Sequence, residues 1–277
     1  MKTKLCKQTI QMFLLCFLAL LPAACKSTGT AASGGNAGSR PRTRDFVLVS
    51  KEQTFFLYPD EQDTSSKLYI SFTLLDITGA EKQFMSPVLY KGQSPGEYAD
   101  KKFQDYDKMY GEMRGVVEKM PNMSWESLNW FYNETFAVVT ETPRIAIISQ
   151  EKDYYTGGAH GMRSKDYYVF SLEEKRQLTL DDIVMDEAKP ALEDLVEEAL
   201  RGLMEIPSWI PLSEKGFFED WEGKLEDFYL SSHGLGFQWD PYEIAPYVMG
   251  SMEISIPYNR LQGILTQRGF TLAKEIR

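Results

Sequence analysis

The sequence predicts an α+β fold, an antiparallel β-sheet covered by about three helices. Two observations carry that prediction. Several short stretches alternate apolar and polar residues with no helix between them. Leu68, Ile70, Phe72 and Leu74, interleaved with Tyr69, Ser71 and Thr73, are one such half-buried strand of a meander. Elsewhere apolar residues recur every three or four positions. Phe103, Tyr106, Tyr110, Met113, Val117 and Met120 form the stripe of an amphipathic helix over residues 97–120, ended by Pro121.

The chain opens with Lys2, Lys4 and Lys7, then an apolar run over residues 10–21 broken only by Gln11, then Ala23-Ala24 before Cys25. This is the layout of a secretory signal over residues 1–24, too short to span a bilayer as a mature helix. Cys25 after two alanines is the expected lipidation site, through which acyl chains would tether the protein to a bacterial membrane surface. Pro22 stands where such signals usually carry Leu, which leaves ordinary cleavage as the alternative. Residues 25–44 are rich in Gly, Ser, Ala and Thr and read as a flexible tether. Cys6 and Cys16 leave with the signal, so the mature chain has no disulfide and relies on its core. The formal charge of −10, from 30 basic and 40 acidic residues, becomes 27 − 40 = −13 without the three signal lysines. That acidity argues against nucleic acid and favours basic partners.

Residues 45–58 read as strand, as two strands if the chain turns near Lys51. Residues 125–142, 144–150 and 167–170 read as further strands. A helix over 187–204 starts at an Asp186 cap, with Pro190 tolerated in its first turn and Ala188, Leu192, Leu195, Ala199 and Leu203 on one face. A helix over 213–230, capped by Ser213, would bury Phe217, Trp221, Leu225 and Phe228. Phe237 and Trp239, then Met252, Ile254 and Ile256, read as two antiparallel strands joined by a proline-stiffened loop.

Two loops carry the candidate site. Residues 154–161, Tyr-Tyr-Thr-Gly-Gly-Ala-His-Gly, place three glycines and one of two histidines between strands. Three glycines so close together imply positive φ or close approach. The functional reading is a rigid loop presenting Tyr155 and His160; the structural one is a tight turn whose His caps a carbonyl. The loop after Trp239 presents Tyr242, Glu243, Pro246 and Tyr247. Prolines reduce the entropy an exposed loop loses on binding, whereas the structural alternative packs both tyrosines on the sheet and makes Glu243 a backbone cap. The two loops are expected to form one recognition edge.

Chemistry is thinly represented. Two histidines and no Cys pair make no zinc site, no nucleophile elbow or phosphate loop is present, and no pair among the forty acids stands out as a glycosidase dyad. No catalytic residue, metal ligand or cofactor is assigned from the sequence.

The motifs YTGGAHG, LTLDDIV, DPYEIAPYVMG and ISIPY, in this order, resemble the extracytoplasmic family of the RsiV anti-sigma factor and of the non-catalytic amino-terminal region of the peptidoglycan deacetylase PdaC. The resemblance runs from about residue 45 to 265, with its specific motifs in 155–265. It implies an α+β module in two halves, 45–160 and 161–277, outside the cytoplasm and in contact with cell-wall material or its degrading enzymes. In the anti-sigma branch the module binds lysozyme, so a lysozyme-type muramidase or peptidoglycan is the expected partner. The chain lacks the sigma-binding segment, the internal span and the deacetylase domain, so binding is expected rather than signalling or deacetylation. A wall hydrolase or deacetylase, or a structural envelope protein, are the rival classes.

Overall fold

The computed structural model describes residues 46–58, 66–120, 125–218 and 224–277. The expected signal, Cys25 and tether lie outside them, as do Pro121 and Trp221. Strand β1 (Phe46–Phe56) pairs antiparallel with β2 (Lys67–Ile77) in one unbroken register, so the chain makes no turn near Lys51. Lys51 instead points at a helix, its Nζ 2.6 Å from Asp100 Oδ1 and 3.2 Å from Gly96 O.

Two helices follow, α1 (Lys82–Tyr90) and α2 (Pro95–Lys119). Pro87 inside α1 hides that helix from a sequence reading, because proline removes a backbone donor and is normally a breaker. Burial of Met85, Leu89 and Tyr90 holds it in place. α2 starts in a capping box: Ser94 Oγ accepts from Glu97 N–H, and the Glu97 carboxylate accepts from Ser94 N–H. Phe103 and Tyr110 of its stripe are buried, Tyr106, Met113 and Val117 partly so, and Met120 is exposed past its end.

The helical crossover returns the chain as β3 (Trp130–Glu141) parallel to β2, Leu68 opposite Trp130. This is the departure from an all-antiparallel sheet, and its cause is the pair of helices inserted between the strands. β4 (Ile145–Tyr155), β5 (Met162–Ser171) and the short β6 (Arg176–Gln177) complete a six-stranded sheet in chain order. The first half of β4, residues 145–150, is buried on both faces. Ala146 and Ile148 enter a core with α1 and α2, while Ile145 and Ile147 enter a second core on the other side.

That second core is closed by α3 (Leu180–Ile183), α4 (Lys189–Leu203), a three-stranded antiparallel sheet of β7 (Phe228–Leu230), β8 (Gly234–Trp239) and β9 (Met252–Pro257), and α5 (Gln267–Ile276). α4 buries Leu192, Val196 and Leu200, so its inner stripe is rotated from the expected one and Leu203 faces water. Its N-cap is Ala188, after a 3-10 turn over Asp186–Ala188; Asp186 pairs with Lys189 instead. The helix expected over 213–230 is not formed. A 3-10 turn (Leu212–Lys215) stops at Gly216, whose φ is +98°, and the end of the stretch is β7. Phe217, Leu225 and Phe228 are nonetheless buried, so their spacing reported burial rather than conformation. α5 requires glycine at 269, where a Cβ would lie 2.3 Å from Ile183 O. Among the described residues no helix is long and apolar enough to cross a membrane.

Candidate functional site

The glycine loop is the β4–β5 connection, closing after the Tyr154–Met162 pair. Gly157 and Gly158 adopt φ of +88° and +96°, conformations that L side chains rarely take. A Cβ on Gly157 would also crowd the Trp130 indole at 3.3 Å. Tyr155 closes the loop on itself, its hydroxyl donating to Gly158 O at 3.0 Å.

The β8–β9 loop reaches the same place. Tyr247 stacks on His160 with centroids 3.6 Å apart and planes 16° apart, and donates its hydroxyl to Gly161 O at 2.8 Å. The same carbonyl faces His160 Nδ1 at 2.9 Å. A carbonyl only accepts, so Nδ1 carries the proton in neutral His160 and Nε2 is the acceptor. Nε2 lies 3.4 Å from the Tyr242 hydroxyl, and the Tyr242 and Tyr247 rings are 5.9 Å apart. His160, Tyr242 and Tyr247 thus form one aromatic group, although His160 and Tyr242 lie 82 residues apart in sequence.

Tyr242 stands apart within it. It is 52% exposed and is one of four non-glycine described residues with positive φ, at +76°. Its N–H is tied to Ala245 O, and buried Ile244 and Ala245 pin the turn from beneath. Such strain costs about 1–3 kcal/mol and persists only where surrounding structure enforces it. Glu243 follows the structural alternative: its Oε2 accepts from Asp240 N–H at 2.7 Å and caps its own turn. Pro246 caps the 3-10 turn Tyr247–Met249 and shapes the loop, leaving Val248 at its tip 89% exposed.

Sequence reasoning missed three polar groups. Beneath Tyr242, Asp240 and Asp227 accept backbone N–H groups of Lys165 and Tyr167 at 3.0 and 2.8 Å, capping the edge of β5 that faces the small sheet. Burial pushes both carboxyls up, Asp227 to about 7 and Asp240 to about 6, with the neighbouring acids Asp166 and Glu243 adding to the rise. Within the α1–α2 core, the fully buried Glu134 accepts from the Tyr98 and Tyr132 hydroxyls, each at 2.8 Å, and from Gln150 Nε2. Burial first, and Glu134 next, raise both tyrosines. Asp182 of the LTLDDIV motif caps α3 and gathers Arg176 and Arg268, and hydrogen bonding to Arg176 holds its carboxyl well below the usual range. Among the described residues no three His, Cys, Asp or Glu side chains converge as a metal site.

The fold and site define an α+β protein of two packed sheets with an aromatic loop edge. Residues 181–259 match the family described as Protein of unknown function (DUF3298), and a DUF3298 domain is found there. The match covers the Tyr242 loop but not the glycine loop. Two solved structures share the fold. A DUF3298 family member from Bacteroides fragilis NCTC 9343 is 24% identical, with 85% of this chain and 98% of that one covered at a TM-score of 0.70. A DUF3298 family protein from Pseudomonas aeruginosa PAO1 is 17% identical, with 81% and 95% covered at a TM-score of 0.59. No curated protein matches the chain.

Proposed function

We propose that the protein is an extracytoplasmic binding module, lipid-anchored through Cys25, whose recognition edge is the His160–Tyr242–Tyr247 group. The observation that carries this reading is the exposed Tyr242 ring, held at positive φ beside two stacked aromatic side chains. Tyrosine is a common interface anchor because it covers much area with few torsions to freeze. The partner we favour is a lysozyme-type muramidase. The motif resemblance to the RsiV and PdaC group points there, and a mature charge of 27 − 40 = −13 would attract a basic protein in a salt-dependent way. Peptidoglycan is the second ligand this reading admits, since an exposed tyrosine ring also stacks on sugar faces.

The test is inhibition of a purified lysozyme by the purified chain, with pull-down on isolated peptidoglycan alongside. Inhibition that weakens as salt rises is expected; no effect on lysozyme and no retention on peptidoglycan would remove this reading. For the anchor, Cys25→Ala should release the protein from membranes. Retention of the substituted chain after a salt wash would refute the lipid attachment.

A further inference from the structure

At the end of β9 away from the Tyr242 loop, a cleft of about 740 Å3 opens between α5 and the 258–266 segment that leads into it. The six residues of β9, about 20 Å of strand, separate it from the aromatic edge. Three features meet in this cleft. First, α5 contributes Phe270, Lys274 and Arg277, at the i, i+4 and i+7 positions of one helix face. Phe270 is 59% exposed there, while buried Leu261 and Ala273 line the cleft with it. Second, the chain carries 40 acids against 30 bases, yet no Asp or Glu lines this cleft. Acids of the surrounding elements are engaged elsewhere: Glu275 with Arg144, Glu198 with Arg260, and Asp182 with Arg268. Third, Lys274 and Arg277 pair with no carboxylate among the described residues. Arg277 lays its guanidinium 5.6 Å from the Tyr258 ring centroid, a contact with its face that leaves its N–H edge open. Cations in a last helical turn offset the helix dipole, but that role requires neither a cleft nor an exposed phenylalanine beside them.

Two unpaired cations beside an apolar wall fit an anion that carries an apolar body. We propose that this cleft binds the carboxylate terminus of a short peptide whose last residue is apolar. Lys274 and Arg277 donate to the carboxylate, the apolar side chain lies against Phe270 and Leu265, and the peptide amides meet Asn259, Gln262 and Gln267. A carboxylate suits the site better than a phosphate dianion, because desolvation against Phe270 and Leu261 penalises a second charge. A peptide suits it better than a bare fatty acid, because each of the three side-chain amides offers both donors and an acceptor that hydrocarbon would leave unpaired. The inference goes beyond the recognition edge and shares no residue with it.

The probe is N-acetyl-alanyl-leucine with a free carboxylate, titrated into the purified chain while the Gly263 amide and the Phe270 ring are followed by NMR. Binding in the millimolar range is expected, weakening as salt rises. The carboxamide of the same peptide should bind at least tenfold more weakly, the loss expected when a charge-assisted pair is removed. Lys274→Gln and Arg277→Gln should each weaken binding of the acid severalfold, and Phe270→Ala by a smaller factor. All three side chains are exposed, so the variants should melt with the parent, and thermal melting verifies that they fold. Tyr242→Ala should leave the response unchanged, which separates this cleft from the recognition edge. Equal binding of acid and carboxamide, or an acid response that survives both glutamine substitutions, would overturn the proposal. Inorganic phosphate that shifts the same signals as strongly would overturn it too. Retention on phospholipid vesicles that is lost in Lys274→Gln, with no peptide response, would overturn the peptide and assign the cleft to a lipid surface. Peptide binding without lysozyme binding upholds the cleft and removes the muramidase as partner; lysozyme binding with no peptide response overturns the cleft and leaves the edge.

Discussion

Tyr242 offers a substitution pair that separates strain from recognition. Its φ of +76° costs an L-residue about 1–2 kcal/mol, and glycine does not incur that cost. Glycine loses about 0.5–1 kcal/mol more chain entropy on folding than alanine. Tyr242→Gly should therefore be more stable than Tyr242→Ala by up to about 1 kcal/mol, or roughly 2–4 °C in melting temperature for a chain of this size. The ring is half-exposed and its nearest aromatic centroid is 5.9 Å away, so relative to the parent the alanine variant should lose only about 1 kcal/mol of contact energy. The glycine variant should then melt near the parent. Affinity should behave differently: both variants lack the ring, and both should lose about 2 kcal/mol of binding, close to thirtyfold, if Tyr242 is an anchor. Calorimetric melting and lysozyme titration on the same preparations provide the two readouts. Equal melting of the two variants would refute the strain argument. Parent-like affinity in both would refute the recognition edge.

Other perturbations have clear signs. Asp227 and Asp240 have carboxyls raised above their ordinary 3.8, so the folded state holds more protons than the unfolded state between about pH 4 and pH 7. Their contribution is therefore most favourable near pH 4 and below, and stability falls as pH rises through 6 and 7. At about 1.4 kcal/mol per pH unit, the cost of ionising Asp227 is of order 4 kcal/mol as an upper bound, so Asp227→Asn should flatten denaturation midpoints between pH 5 and 8 and raise the value at pH 8. An unchanged slope would refute this. Glu134→Ala should cost about 3–5 kcal/mol, because two buried tyrosine hydroxyls and Gln150 lose their shared acceptor; urea titration would show it, and a loss under 1 kcal/mol would contradict the network. Gly269→Ala forces α5 away from Ile183 O and should lower stability by at least about 2 kcal/mol, read as a fall in melting temperature.

Local pattern made much of this architecture legible. Alternation located β2, β8 and β9, a three-to-four spacing located α2 and α4, and glycine and proline marked the two loops that meet at His160 and Tyr247. Each is a short-range consequence of which faces must be buried and which backbone angles a residue allows. The same logic failed where burial and conformation part company. Phe217, Leu225 and Phe228 are spaced like a helix and buried like one, yet Gly216 ends the turn and the small sheet recruits Phe228 as a strand. α1 is held by tertiary burial despite Pro87, and the parallel β2–β3 pair follows from a crossover that no window of sequence contains.

For the site, the sequence supplied the aromatic residues and the stiff loops, because tyrosine, glycine and proline carry their physical meaning locally. Glu243 went to its own turn once Asp240 N–H came within 2.7 Å. Asp227, Asp240 and Glu134 carried no local signal. A carboxylate or amide acquires an unusual environment only when strands distant in sequence desolvate it and bring, or fail to bring, a partner. The sequence by itself located most strands of the large sheet, the β8–β9 pair, the helices α2 and α4 and the two loops of the candidate site, because these follow from local periodicity and backbone restriction; only the tertiary structure decided β7, α1 and which acids are buried, because desolvation depends on everything packed around a group.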